Sequence, residues 1–224
     1  MHDKTMTKVS WVLVAVFSLM PSLFADKFAD RVAESTRVYK ELIEAPDRGI
    51  PQSLLEDCEC IVVIPHVIKA ALGFGGRHGN GIASCRNDQG AWSPPSFVKF
   101  SGASVGFQIG VQASDLVLFM MTGKSAEALV KNQFTLGGDI SVAAGPVGRT
   151  VEADTDIMLR AEILAYGRAK GLFAGISLEG ASLRPDHTAI RKFYGKRTDP
   201  EMILMEHQVP KMPDEAREFV QVLH

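Results

Sequence analysis

The feature that most constrains this chain is the run from Cys60 to Met121, in which β-branched and aromatic residues are punctuated by glycine. Ile61-Val62-Val63-Ile64 is a continuous apolar tetrad ended by Pro65. Such a run reads as a strand covered on both faces, with the proline as its stop. Residues 73–85 follow, and Gly73-Phe74-Gly75-Gly76-Arg77-His78-Gly79-Asn80-Gly81 concentrates glycine as bent strands around a tight turn would. Further strands are expected over 96–101, 104–112 and 116–121. In the second of these Val105, Phe107, Ile109 and Val111 alternate with Gly106, Gln108, Gly110 and Gln112, a glycine-bearing face that admits close approach by another layer or a ligand.

Helical patterns bracket this region. Residues 26–45 place Phe28, Val32, Tyr39 and Leu42 on one stripe, with the pairs Arg37/Glu41 and Lys40/Glu44 on the polar face and Pro46 beyond the end. A short helix starts at Pro51, and another covers 125–132 behind a good N-cap residue. Residues 157–169 and 172–183 form a hairpin turning at Lys170-Gly171. Asp186 caps a helix reaching Tyr194, which Gly195 stops. Residues 199–206 and 213–223 are two last helices. Helices at both ends of a series of antiparallel strands give an α+β fold with a glycine-rich sheet or barrel-like core. The domain reading is 1–25 signal peptide, 26–49 amphipathic helix, 50–195 core and 196–224 helical tail.

The signal peptide is read from Lys4 and Lys8 ahead of the apolar run 9–20 and the small Ala25. That run is short of the roughly 20 residues needed to cross a bilayer. An uncleaved anchor or a buried helix is the competing reading. Cleavage near Ala25 makes the protein secreted or periplasmic and leaves 22 basic against 25 acidic side chains, a net charge of −3. A mildly acidic chain offers no overall footprint for a polyanion, so nucleic acid is not an expected partner.

Three cysteines then sit in a compartment where disulfides persist: Cys58, Cys60 and Cys85. Residues two apart in a strand lie roughly 6.6–7 Å apart at Cα, at or past disulfide reach. Any bridge must therefore use Cys85. Cys60 opens one apolar strand and Cys85 closes a later one, which favours Cys60–Cys85 with Cys58 a free thiol; a zinc site is the alternative.

Catalytic signatures are sparse. The glycine-rich segment lacks Gly-Lys-Ser/Thr, and the third position of a Gly-x-Gly-x-x-Gly pattern from Gly73 is His78. There is no Gly-x-Ser-x-Gly and no His-Glu-x-x-His. His66, His78 and His187 read as surface or turn residues. No cofactor is expected, and the chain is read as non-enzymatic. One pair stands out: a two-residue turn at Lys170-Gly171 sets Glu162 opposite Glu179, and like charges so placed repel. An arginine bridge or solvent, a shared proton, or a bound metal would relieve that repulsion. A hydrolase using the two carboxylates is a third functional reading. On the first helix Lys27, Arg31, Arg37 and Lys40 flank the apolar stripe as in interfacial helices, while Asp30, Glu34, Glu41 and Glu44 offset them; packing of this helix on its own domain is the competing reading.

In order along the chain, Gly49-Ile50-Pro51, Val63-Ile64-Pro65, Gly75-Gly76-Arg77-His78-Gly79-Asn80-Gly81 and Trp92-Ser93-Pro94-Pro95 resemble the blocks of SYLF domains. So do Gly106-Phe107-Gln108-Ile109-Gly110, Thr135-Leu136-Gly137-Gly138-Asp139, Ala143-Ala144-Gly145-Pro146-Val147-Gly148-Arg149 and Gly171-Leu172-Phe173-Ala174-Gly175-Ile176-Ser177-Leu178-Glu179-Gly180. The resemblance spans residues 50–194. It implies lipid binding, with phosphoinositide, membrane-remodelling and actin association in eukaryotic members and secretion in bacterial ones. In the eukaryotic proteins the membrane determinant is attributed to a basic amphipathic N-terminal extension, a place taken here by the leader and a mixed-charge helix. The expected function is adhesion to a lipid or membrane surface of the envelope or secreted space. The alternative is a structural or protein-interaction module without lipid affinity, whose partner is another protein.

A reductant is expected to lower the denaturation midpoint clearly, since loop entropy assigns a Cys60–Cys85 bridge about 3 kcal/mol. An unchanged midpoint on reduction would refute the bridge.

Overall fold

A computed structural model describes residues 20–44, 50–146, 161–169 and 172–224; the leader read over 1–25 lies outside these except for its last residues. The described elements are α1 (Met20–Ile43), α2 (Gln52–Asp57), β1 (Cys60–Cys85), β2 (Ser96–Met120), α3 (Gly123–Ala128), β3 (Phe134–Thr135) and β4 (Val142–Ala144). They continue with β5 (Ile163–Ala169), β6 (Leu172–Gly175), β7 (Ala181–Pro185), α4 (His187–Phe193), α5 (Pro200–Leu204) and α6 (Asp214–Val222). The fold is α+β, a curled and mostly antiparallel sheet with flanking helices.

Two very long strands make the sheet. β1 runs 26 residues and β2 runs 25, paired antiparallel from Cys60↔Met120 to Ala83↔Ser96. β7 adds to one end of β2 at residues 98–102, and β5 adds to the other end at residues 115–120. β3 extends β7, β6 pairs β5, and β4 joins β5 in the parallel pair.

Several sequence expectations are corrected here. Pro65 does not end a strand. It sits where the register shifts between Ile64 and Val67, and among the described residues β1 pairs with β2 alone, so an edge strand absorbs the missing N–H as a bulge. His66 takes a positive φ of 50° at this bulge, and its N–H donates to Asp115 Oδ1 at 2.9 Å. Residues 73–81 hold no turn, and the three separate strands expected over 96–121 are one. The helix expected over 125–132 starts earlier, capped by Thr122, whose hydroxyl accepts from Ser125 N–H.

The glycines serve a curl instead of a turn. Laid straight, 25 residue steps would span roughly 80 Å, yet the Cα atoms of Cys60 and Cys85 lie 4.0 Å apart and their sulfurs are bonded at 2.04 Å. β1 therefore bends back until its ends meet. A Cβ on Gly79 would stand 2.7 Å from the Ile64 and Val67 side chains, and one on Gly81 would stand 2.1 Å from the Val63 carbonyl oxygen. Only hydrogen fits in either gap.

Strand alternation feeds two cores. Inside the curl lie Val62, Ile64, Phe100, Leu118, Ile163 and Leu183, closed off by α3, Phe134 and Leu204. On the outer face Ile61, Val63, Phe97, Phe119 and Tyr166 meet the helices through Phe28, Val32, Tyr39, Leu42, Ile190 and Phe219. Phe97 is the centre of the aromatic packing there, edge-on to Phe28 at 5.7 Å and to Phe193 at 5.1 Å.

Buried charge fixes α1 to the sheet. Asp186 is 4% exposed; it caps α4 by accepting from Ala189 N–H and pairs with Arg31 at 3.4 Å and Lys99 at 3.1 Å. Burial alone would push its carboxyl up, but the Ala189 N–H and the two cations outweigh it and hold the group below its ordinary value of 3.8. A depressed carboxyl contributes stability that is present above the unfolded value and is lost as pH falls through the folded one.

Gly81→Ala is expected to destabilise the fold by about 2–3 kcal/mol because a backbone carbonyl must move. Gly123→Ala, where an added Cβ meets nothing within 4 Å, should be neutral or stabilising by up to ~1 kcal/mol. Equal melting shifts for the two would contradict the curl. Asp186→Asn should cost roughly 3 kcal/mol at pH 7 and flatten the stability loss below pH 4, read by chemical denaturation across pH.

Candidate binding surface

The stripe of α1 faces the outer core, and Phe28, Val32, Tyr39 and Leu42 are all buried. This settles the geometry of the four cations proposed for lipid contact. Arg31 is turned inward to Asp186, and its guanidinium stacks over Phe28 at 5.5 Å and Phe97 at 5.4 Å. Arg37 is held by Glu34 at 2.5 Å and by Glu41. Lys40 reaches across to Glu218 of α6 at 2.9 Å. Lys27 alone is exposed without an ion pair to a described residue. Three of the four cations thus act within the fold, because the helix packs its apolar face on its own sheet and its polar flank meets neighbouring carboxylates.

The two carboxylates expected to couple take separate partners. The β5–β6 ladder has the expected register, Ala169↔Leu172 to Tyr166↔Gly175, but it ends there. Residues 181–185 leave this hairpin and pair with β2 instead, because the curl brings the 98–102 stretch of β2 alongside. Glu162 accepts from Ser141 N–H at 2.8 Å and from the Ser141 hydroxyl at 3.1 Å, and it pairs with Lys124 at 2.9 Å. The Ser141 N–H first, and Lys124 after it, hold its carboxyl below the ordinary range. Glu179 is exposed in a turn with Gly180 at φ 74° and packs against Gly137. The turn residues 170–171 and the outer part of the expected strand, 157–160, lie outside the described residues.

Cys58 is a buried free thiol in the outer core, pushed up to about 12 by burial. His66 and His78 are exposed and His187 is half-buried. Among the described residues no three His, Cys, Asp or Glu side chains gather as metal ligands would, and no helix is long and apolar enough to cross a membrane.

A cluster of solvent-facing cations lies near the other end of the chain. Arg184 on β7, Arg191 and Lys192 on α4, and Lys196 and Arg197 just after it are all exposed. The one carboxylate within residues 184–197 is the buried Asp186. Arg184, Arg191, Lys196 and Arg197 make no ion pair with a described residue. β7 holds its alternate residues Ala181, Leu183 and Pro185 inward and so turns Arg184 out. Ala189 and Ile190 anchor α4 to the core and leave Arg191 and Lys192 on the open side. Sequence reasoning passed over this segment; the signal was five cations in fourteen residues of a chain with net charge −2.

Comparison with known proteins gives this geometry a family. Residues 101–224 match the family described as "Ysc84: Las17-binding protein actin regulator". The chain is 37% identical over 179 residues to the "SH3 domain-containing YSC84-like protein 1" of Xenopus laevis, covering 80% of this chain and 53% of that protein. The Homo sapiens protein of the same name is 36% identical over 169 residues, covering 74% and 49% of the two chains. "LAS seventeen-binding protein 3" of Saccharomyces cerevisiae (strain ATCC 204508 / S288c) is 37% identical over 161 residues, covering 70% and 35%. The chain spans about half the length of the vertebrate relatives it matches and about a third of the yeast one. On the strength of the family match and of identities above 35% along most of its length, the chain belongs to the Ysc84, or SYLF, family.

Proposed function

We propose that this chain is a non-enzymatic adhesion domain that binds a lipid or membrane surface electrostatically, in the secreted or periplasmic space after removal of residues 1–25. The observation that carries the reading is the exposed basic segment 184–197, held by a strand and a helix of a rigid core in an otherwise acidic molecule. Cations on structured elements approach an anionic surface without first being freed from internal carboxylates, and each contributes about 1 kcal/mol near such a surface. Arg31, Arg37 and Lys40 are committed to internal partners, so the adhesive charge resides in Arg184, Arg191, Lys196 and Arg197, with Lys27 as a further exposed cation.

A second reading, recognition of another protein, draws on two observations. Relatives carry names that describe binding to Las17 and regulation of actin. In addition, among the described residues β1 leaves one edge unpaired by any strand, a geometry to which an extended segment can add.

Flotation of the mature chain, residues 26–224, with anionic and neutral vesicles at two salt concentrations discriminates the two. Retention by anionic vesicles at low salt is expected. Replacing Arg184, Arg191, Lys196 and Arg197 by Gln should weaken it roughly 100-fold or more. Replacing Arg37 by Gln should leave binding unchanged. No flotation in any condition would overturn the lipid reading and favour a protein partner.

A further inference from the structure

A cleft of about 490 Å³, lined by none of residues 184–197, lies between α1, the end of α2, the residue following β1 and the end of α6. Its volume falls in the range that takes a small molecule. Ile43, Ile50, Leu55, Val222 and Leu223 supply apolar wall, and Tyr39, Glu56, Arg86 and His224 bring the polar groups.

Arg86 is the unusual member. Two of its guanidinium nitrogens donate to the carbonyls of Glu56 and Leu55, at 2.5 and 2.8 Å, and its plane stacks on Trp92 at 4.6 Å. These contacts fix the group, and both acceptors are neutral carbonyls. No described carboxylate forms an ion pair with it, although Glu56 borders the same cleft. Its Nε is buried and has no hydrogen-bond partner. The Tyr39 hydroxyl, on the same cleft wall, also donates to no described residue. A cleft with an apolar wall and a preorganised guanidinium that no described carboxylate pairs matches a ligand that is apolar along its length and anionic at one end.

We propose that this cleft binds a single-chain carboxylate amphiphile, a fatty-acid type molecule, with its carboxylate on Arg86 and its chain along Ile43, Leu55, Val222 and Leu223. The site is distinct from the basic surface used for adhesion and does not depend on it. A carboxylate is favoured over a neutral lipid because only an anion neutralises the half-buried guanidinium, and a single chain is favoured because the cleft offers one apolar wall, Ile43, Leu55, Val222 and Leu223.

The test uses the full chain and 11-(dansylamino)undecanoic acid as the probe, displaced in turn by decanoate and by decanol. A saturable, one-to-one fluorescence increase is expected, with decanoate displacing the probe at least 10-fold more effectively than decanol. Across octanoate, decanoate and dodecanoate, affinity should rise by about 4-fold per buried methylene until the trough is full. Val222→Trp should abolish the signal while leaving vesicle flotation unchanged, which separates this site from the adhesive surface. Arg86→Gln should erase the preference for decanoate over decanol. Absence of saturable binding, equal displacement by decanol in the unsubstituted chain, or full binding by Val222→Trp would overturn the proposal. The decanoate and decanol comparison needs no substitution, so a folding defect in a variant does not blunt it.

Discussion

The rest of the structure depends on the return of β1 upon itself. A two-stranded ribbon is marginal in water because most of both faces stay wet. Here the ribbon bends until Cys60 and Cys85 bond, and the concave face it creates becomes a closed apolar interior. Register shifts at Ile64/Val67 and Ala71/Gly73 supply bend, and Gly79 and Gly81 let one limb of β1 rest against the other. Arg86 reinforces the same closure, since it follows Cys85 and binds the last carbonyls of α2. Once the curl exists, its two ends give β2 free edges for β5 and β7, and its convex face gives the helices a surface to cover.

Charge divides into two populations with different physical roles. Arg31, Lys99 and Asp186 are partly or fully withdrawn from water and locate α1, β2 and α4 relative to one another. Arg168 does similar work at the other end, joining Asp115 of β2 to Glu41 of α1. Cations so engaged are poor candidates for an external partner, because leaving would strand a desolvated carboxylate. Arg184, Arg191, Lys196 and Arg197 make no ion pair with a described residue and are not so engaged. Residue type alone does not separate these populations; only the location of the countercharge does.

The family match over 101–224 begins inside β2, yet β2 has no meaning without β1, its partner along nearly its whole length. The relatives align over 161 to 179 residues of this chain, enough to include more than the matched region. The folding unit is thus larger than the family segment, and α1 belongs to it through a buried apolar face and three ion pairs to other elements.

Much was legible in the residues themselves. The stripe of α1, the cap at Asp186, the hairpin register across 169 and 172 and the choice of Cys85 as the bonding partner follow from local periodicity, capping chemistry and covalent reach. These are short-range rules, and short-range information suffices for them. What tertiary structure decided was longer in range. Glycines over 73–81 are as compatible with a turn as with a close approach, and Pro65 is as compatible with a strand end as with a bulge at an edge; which applies depends on residues twelve or more positions away. Likewise Glu162 went to Ser141 and Lys124 and not to Glu179, and Arg31 went to Asp186 and not to solvent, because folding brought those partners within reach. Sequence determined which groups could bend, bond or pair, and the closed curl determined with whom.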